Sequence, residues 1–489
     1  MSPLLSLILI PLVTAAFCMA GAVPRRLSLF GAGANLLLSL YLIASYNTEI
    51  GGFQFVSEHP LFPSYGLNFS LGADGLSLTL LLLATLVTFA AVWVTPKVDK
   101  FAGMFYACLL LISTGAIGAF ASIDLFFFYA FHELALIPTF LLIGIWGSGE
   151  RQRIAWKVTI YLAFGSFILL LGLIGLWLAV PEGLRTLDMR LLQQLGAAGM
   201  IEPGPAVYLL ILFGFGILIA LFPFHTWAPE VYASAPAPAA MLHAGVLKKF
   251  GLYGLLRLAV PIFPAEVQQF APLLLTLLLG NILYTGFVTI AQKRLDLMLG
   301  YSSVMHMGYA FLGLAALNQL GLGGTSLMLF AHGLTIAALF ALCGEVARRT
   351  GTLEFSELGG LASPAPKLGL LFGLAAMASV GLPGFATFAS EIMIFFGAFA
   401  RGNVGAFNWF QTTTVLALWG VVISAVYMLR AYRRVFWGTR GSAVKDDLPD
   451  VSSGVRWAVI ILLAGLLITG FRPSLLLDLI NPVFAYLPK

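Results

Sequence analysis

Apolar runs of about twenty residues recur from one end of this chain to the other, each long enough to cross a bilayer core of roughly 30 Å as a helix. A chain written this way has one class of solution. With 60% hydrophobic and 10% charged residues among 489, its apolar surface exceeds what a single soluble core could bury. The expectation is an all-α, polytopic membrane protein of about fourteen transmembrane helices. The first run, Pro3 to Ala20, has no basic residue before it and no small-residue cleavage site, so a retained first helix is expected rather than a removed signal peptide.

Four ionisable residues interrupt these runs: Glu133, Lys157, Lys249 and Glu391. A charge at the centre of a membrane helix costs roughly 2.5 to 3.5 kcal/mol even on lenient insertion scales, so it lines a wet path or meets a partner. Acids and lysines spread along the chain in this way point to a proton path. Lys157, about three residues inside its run, could instead snorkel to the membrane surface. Histidines at 132, 225, 243, 306 and 332 also fall within apolar runs, where each could relay a proton or simply satisfy a helix contact, whereas His59 reads as a surface residue. Cys18, Cys108 and Cys343 stand far apart without metal-ligand spacing and read as small core residues. With no phosphate-binding glycine loop and no metal or cofactor motif, redox or nucleotide chemistry is assigned to other chains.

Placing the amino terminus outside puts seventeen of the 26 Lys and Arg in inward loops and six (185, 190, 257, 401, 472 and 489) outward; Lys157, Lys248 and Lys249 remain in spans. This bias predicts both termini outside. The net charge of +5 follows from that topology and implies no nucleic-acid partner. The outward segment from Ser45 to Leu71 contains no Lys or Arg, and its Gly-Gly with Phe53 and Phe55 suggests a short hairpin. The charged stretch from Arg434 to Asp450 reads as a docking or solvated loop.

Two spans carry a proline in a glycine-rich or aromatic break with a glutamate seven or eight residues on: Phe222-Pro-Phe-His-Thr-Trp-Ala-Pro-Glu230 and Gly381-Leu-Pro-Gly-Phe-Ala-Thr-Phe-Ala-Ser-Glu391. Proline removes a backbone donor, so the helix opens and its freed groups need polar surroundings; a packing kink is the plain alternative. Breaks in matching places suggest two inverted five-helix repeats, at 102-259 and 260-437, flanked by a three-helix segment at 1-101 and an inner loop with a final helix at 438-489.

The stretch Phe127-Phe-Tyr-Ala-Phe-His-Glu133-Leu-Ala-Leu-Ile-Pro, with Phe222-Pro-Phe-His, Gly300-Tyr-Ser-Ser-Val-Met-His-Met-Gly308, Ala331-His-Gly-Leu-Thr and Leu382-Pro-Gly, resembles the antiporter-like subunits of respiratory complex I, of the chain M or ND4 type. The resemblance spans roughly residues 70 to 440. It implies a proton-translocating membrane subunit of NADH:quinone oxidoreductase in a bacterial cytoplasmic membrane, without a cofactor, flanked by antiporter-like neighbours and driven by quinone reduction elsewhere in the complex. By the same resemblance Glu133, Lys157, Lys249 and Glu391 are the relay residues of the fifth, sixth, eighth and twelfth helices, with His306 and His332 between the last two. His225 and Lys248 join them as candidates.

Three departures qualify that match. The family's seventh-helix lysine is Leu218 here, so either Glu133 stands without its usual cation or Lys248 reaches toward it. The order Gln292-Lys-Arg-Leu-Asp296 differs from the usual Asp-x-Lys-Arg, and Leu242-His-Ala244 looks more like the sister subunits. The D-type component of a multisubunit Na+/H+ antiporter, or a structural paralogue whose inlet half is uncoupled, remain the alternative functions.

Overall fold

The computed structural model describes residues 2–21, 23–62, 65–402 and 407–487. Lys489, one of the six outward cations, lies outside them. Among the described residues, nine helices are long and apolar enough to cross a membrane, and the shorter apolar helices include Pro3–Met19, Gly204–Ile219, Pro366–Val380 and Ala386–Phe399.

Burial sorts these helices into a centre and a rim. Gly75–Val94, Ala102–Ala121 and Gln319–Thr350 are almost wholly enclosed by other helices, whereas Pro24–Ser45, Arg151–Ala179 and Trp409–Phe436 bury under half of their apolar length. On Arg151–Ala179 the exposed face carries Ile160, Phe164, Phe167, Leu171, Ile174 and Leu178 at helical spacing. An uninterrupted apolar stripe turned away from the protein is the surface lipid requires.

The predicted hairpin is present: β1 (Gln54–Phe62) pairs antiparallel with β2 (Leu67–Ala73). Gly51 and Gly52, at φ +62° and +63°, turn the chain ahead of β1 rather than at the hairpin tip. A bridge from Leu71 to Ser122 and another from Asp124 to Asp188 fasten this face. The charged segment after residue 436 docks on its own chain, with Gly441 N donating to Gly359 O (3.2 Å), Ala443 N to Glu357 O (3.1 Å) and Arg349 Nε to Pro449 O (2.7 Å). The Lys293-Arg294 run is likewise an internal clasp: Phe355 N donates to Lys293 O at 2.9 Å and Leu295 N to Leu353 O at 3.0 Å.

Backbone irregularities exceed the two breaks read from the sequence. Gly204–Ile219 ends where Ala220 takes a left-handed conformation, and helix resumes at Trp227; Pro366–Val380 ends at left-handed Gly381 and resumes at Ala386. In addition, the fifth apolar run divides at Ala135, and wide π turns occupy His243–Leu247, Leu255–Ala259 and Gly280–Tyr284. Arg257, counted among the outward cations, is buried and paired. It is 3% exposed, and its Nη1 donates to Asp74 Oδ2 at 2.5 Å and its Nη2 to Ser77 Oγ at 3.0 Å.

Candidate functional site

Lys249 is fully buried at the start of the helix Lys249–Gly254, which Lys248 separates from the π turn His243–Leu247. Such a turn inserts an extra residue per bond and rotates the residues beyond it, a device common at functional positions. Here it frees Ala244 O to accept a hydrogen bond from Lys249 Nζ at 2.8 Å. The same Nζ lies 2.8 Å from His332 Nδ1. Two glycines make this possible. A Cβ at Gly245 would lie 3.0 Å from Gly333 O, and one at Gly333 would lie 2.7 Å from Gly245 O, so only bare backbone lets the Gln319–Thr350 helix come this close.

From His332 the row continues to His306, ring centroids 5.7 Å apart. His306 Nδ1 faces Ser302 O at 2.8 Å and its Nε2 faces Ser379 O at 3.0 Å. A neutral imidazole has one N–H, so only the doubly protonated ring donates to both carbonyls. Between the rings lies a cavity of about 10 Å³ lined by Ser302, His306, His332, Thr335, Ser379 and Thr387, the space of about one water.

The second helix break sets the far end of the row. Carbonyls at a helix terminus lack intrahelical donors; here Ala378 O accepts from Thr387 Oγ1 at 2.6 Å and Ser379 O meets His306. Glu391, 4% exposed, lays its carboxylate against Gly381, where any Cβ would collide with Oε2. Tyr309 and Tyr427 lie within electrostatic range of that carboxylate. Tyr427 shares a 2.7 Å hydrogen bond with Ser302 Oγ, while the buried Tyr309 hydroxyl has no partner and its ring stands edge-on to His306 at 5.8 Å.

The other candidates do not join this row. Glu133 Oε1 is buried without a hydrogen-bond partner, with Tyr129 and Ser166 as its polar neighbours. Leu218 packs against Gly165, beside Ser166, so the position from which the family's lysine would approach Glu133 is apolar. Lys248 does not reach toward Glu133: its Nζ donates to Ser303 O at 3.2 Å and Ser303 Oγ at 3.4 Å. The cause is helical geometry, since neighbours on a helix point about 100° apart and Lys249 holds the other direction. Lys157 sits at the protein rim, paired with Glu230 at 3.0 Å, both side chains partly exposed. His225 stacks on Phe222 at 5.5 Å with its Nδ1 unpartnered. His132 lies flat on Phe250, centroids 4.0 Å apart, and like His243 has neither ring nitrogen hydrogen-bonded.

Residues missed by sequence reading are those that hold the others. Ser302 and Ser303 fall within the quoted Gly300–Gly308 motif and Thr387 within the second break, yet nothing local marks them or Ser379 as hydrogen-bond partners, and Gly245 with Gly333 shows its purpose only across two helices. Tyr309 stands three residues after His306, the helical spacing that could have flagged it.

Residues 122–417 match the family described as NADH:quinone oxidoreductase/Mrp antiporter, TM. NAD(P)H-quinone oxidoreductase chain 4 of Gloeobacter violaceus is 35% identical over 91% of this chain and 84% of the relative, and chain 4 1 of Synechococcus elongatus is 36% identical over 97% and 87%. A chain in the structure of respiratory complex I from Thermus thermophilus with bound NADH superposes with a TM-score of 0.88 at 31% identity, covering 99% of both chains. A chain of the Mrp complex from Dietzia sp. shares the fold, with a TM-score of 0.86 at 21% identity over 99% of this chain and 97% of that one.

Proposed function

Because this chain belongs to the NADH:quinone oxidoreductase/Mrp antiporter membrane family, we propose that it is a proton-translocating membrane subunit of an NADH:quinone oxidoreductase, moving protons along Lys249, His332, His306 and Glu391. The observation that carries this reading is the row that runs from the Lys249 amine, bonded to His332, to His306 with ring centroids 5.7 Å away, and on through Ser379 O to a helix break against which the Glu391 carboxylate lies. Each member can give and take a proton. Between Lys249 and His332 one proton suffices for the bond, carried either as ammonium donating to Nδ1 or as Nδ1–H donating to the amine. Transfer to His306 through the single-water space satisfies both of its carbonyls, and Tyr309 with Glu391 stands next in line.

Redox chemistry belongs to other chains of the complex, and this chain carries no cofactor. Its partners are membrane subunits on either side. The relatives at 35 and 36% identity bear chain 4 names, which favours this assignment over an Mrp-type antiporter component, where the likeness is of fold alone. Fourteen crossings, both termini on the outer side of a bacterial cytoplasmic membrane and two inverted repeats at 102-259 and 260-437 complete the proposal. It is supported by a proline-bearing helix break in each repeat and by the bias of Lys and Arg toward one set of loops in the sequence.

The test is proton uptake coupled to quinone reduction in inverted membrane vesicles. Lys249→Ala is expected to abolish uptake while the complex still assembles. Normal uptake in that variant would overturn the relay.

A further inference from the structure

The helix Gly75–Val94 is enclosed on every side but one. Of its residues only Leu82, Phe89 and Trp93 are part-exposed; spaced by seven and then four positions, they share one helix face. The stripe lies in a groove between two neighbouring helices. Gly33 of Pro24–Ser45 comes against Phe89, where a Cβ would stand 3.5 Å from the ring, and Gly454 of Ser453–Phe471 comes against Trp93, where a Cβ would stand 3.2 Å from the carbonyl oxygen. Both flanking helices turn apolar side chains outward: Phe30, Leu37 and Tyr41 on the first, Trp457, Ile468 and Phe471 on the second. From Leu82 to Trp93 the stripe runs about 16 Å at the helical rise, close to half of a hydrocarbon core of roughly 30 Å. The groove is as long as one leaflet is deep.

Where the Gly75–Val94 helix ends, the groove meets a cavity of about 240 Å³ whose lining includes Arg25, Trp93, Lys97, Arg348, Ser452 and Gly454. Among the described residues no acid lines it. The acids that pair with its cations are too few to neutralise them. Asp99 faces Lys97 at 3.6 Å with both side chains almost fully exposed. The buried Glu345 is shared between Arg348 and Arg349 and also accepts from Ser452 N at 2.7 Å. Arg25 pairs with no acid among the described residues, and its Nη2 reaches Trp93 O at 3.5 Å. Four cations therefore meet two carboxylates, which leaves the site positive. Guanidinium groups match phosphate oxygens with parallel N–H donors, and an ammonium adds a point charge. A basic pocket between membrane helices suits an anionic lipid headgroup.

We propose that this site binds an anionic phospholipid, its phosphodiester held by Arg25, Lys97 and Arg348 and one acyl chain lying along Trp93, Phe89 and Leu82. A zwitterionic lipid would bring its own ammonium among the excess cations, so the site selects a headgroup of net negative charge. A free phosphate would occupy the cations and leave the stripe bare. Neither the cations nor the stripe belongs to the row from Lys249 to Glu391, so the proposal stands independently of the proton-carrying reading.

The test uses the assembled complex in phosphatidylcholine vesicles with a minor share of phosphatidylglycerol that carries a photoactivatable group midway along one acyl chain. Cross-linked peptides are then identified by mass spectrometry. Labelling around Phe89 is expected, well above that given by phosphatidylcholine bearing the same group. Arg25→Gln combined with Lys97→Gln leaves Glu345 and its partners in place, and should lower the labelling by about tenfold, as the loss of two cations near a membrane surface requires. Equal labelling by the two lipids, or labelling unchanged in the double variant, would overturn the site. If the stripe stays unlabelled while the native complex retains radiolabelled inorganic phosphate and the double variant does not, the cations serve a free anion and the lipid is rejected. A stripe unlabelled by either lipid, with Phe89→Cys cross-linking to a neighbouring subunit, would give the groove to a protein partner and likewise reject it.

Discussion

The two helix breaks solve one problem with different chemistry. At 220–226 the freed groups are held by Asn281, whose Nδ2 donates to Ala220 O at 3.0 Å and to Val304 O at 3.2 Å, and whose Oδ1 accepts from Phe222 N at 2.7 Å. At 381–385 the corresponding work falls to Thr387 and to His306. An amide satisfies backbone groups permanently because it neither gains nor loses a proton near neutral pH. An imidazole satisfies both of its carbonyls only while it carries the extra proton. On the proposed relay the first break is a fixed joint, whereas at the second Ser379 O is held by a ring that bonds Ser302 O as well only when doubly protonated.

The largest effect is expected from making the second break resemble the first. His306→Asn retains a donor for one carbonyl but ends proton exchange, and proton uptake per quinone reduced should fall by roughly 10²-fold, the low end of what a positioned acid–base group supplies. Assembly, judged by native electrophoresis of the solubilised complex, should survive. Uptake within a factor of two of the unsubstituted protein would mean that the two breaks are equivalent supports.

The reverse pattern is expected at the first break. Asn281→Leu orphans Phe222 N and Ala220 O in an apolar interior, at about 1–3 kcal/mol for each buried group. Thermal unfolding of the detergent-solubilised complex should come at a distinctly lower temperature, while uptake per assembled complex stays near normal. A specific loss of pumping with unchanged stability would erase the distinction.

How far this contrast could be read from sequence depends on what fixes each part. Crossing helices follow from run length, and both breaks follow from proline in glycine-rich or aromatic settings, because those signals are local. Lys249, His306, His332 and Glu391 stand out because charge inside an apolar run is rare. Their grouping was legible only through family likeness, since His332 reaches Lys249 across 83 positions of sequence by way of Gly245 and Gly333. The π turn before Lys249 has no local signature at all: Leu242-His-Ala-Gly-Val-Leu247 spells an ordinary apolar helix. The pairing of Arg257 was not legible for a similar reason, because its acid partner Asp74 lies 183 residues away.

A smaller effect is expected at Glu133, on the first repeat's side of the comparison. With only Tyr129 and Ser166 nearby and Leu218 in the cation's place, Glu133→Gln should change uptake by less than about threefold, a difference under 1 kcal/mol in barrier. Leu218→Lys sharpens the contrast by restoring an ammonium beside the acid. If the proposed relay is silent there for want of a cation, Glu133→Gln should depress uptake further in the Leu218→Lys background than in the native one. Equal effects in the two backgrounds would show that Glu133 acts without that partner.

The smallest effect is expected from Lys157, which the family likeness ranks beside Lys249. Its environment argues otherwise: the ammonium pairs with Glu230 at 3.0 Å at a rim where both side chains keep contact with the surroundings. Exposed pairs contribute about 0–1 kcal/mol, because solvent screens them and ordering two long side chains offsets the attraction. Lys157→Met should leave assembly intact and shift uptake by less than about twofold, whereas Lys249, enclosed on every side, has no solvent to substitute for its partner. A tenfold loss in Lys157→Met would require protons to enter along the Arg151–Ala179 helix. It would also return the first repeat to the working path, and the asymmetry between the two halves would then lie in their joints and not in their traffic.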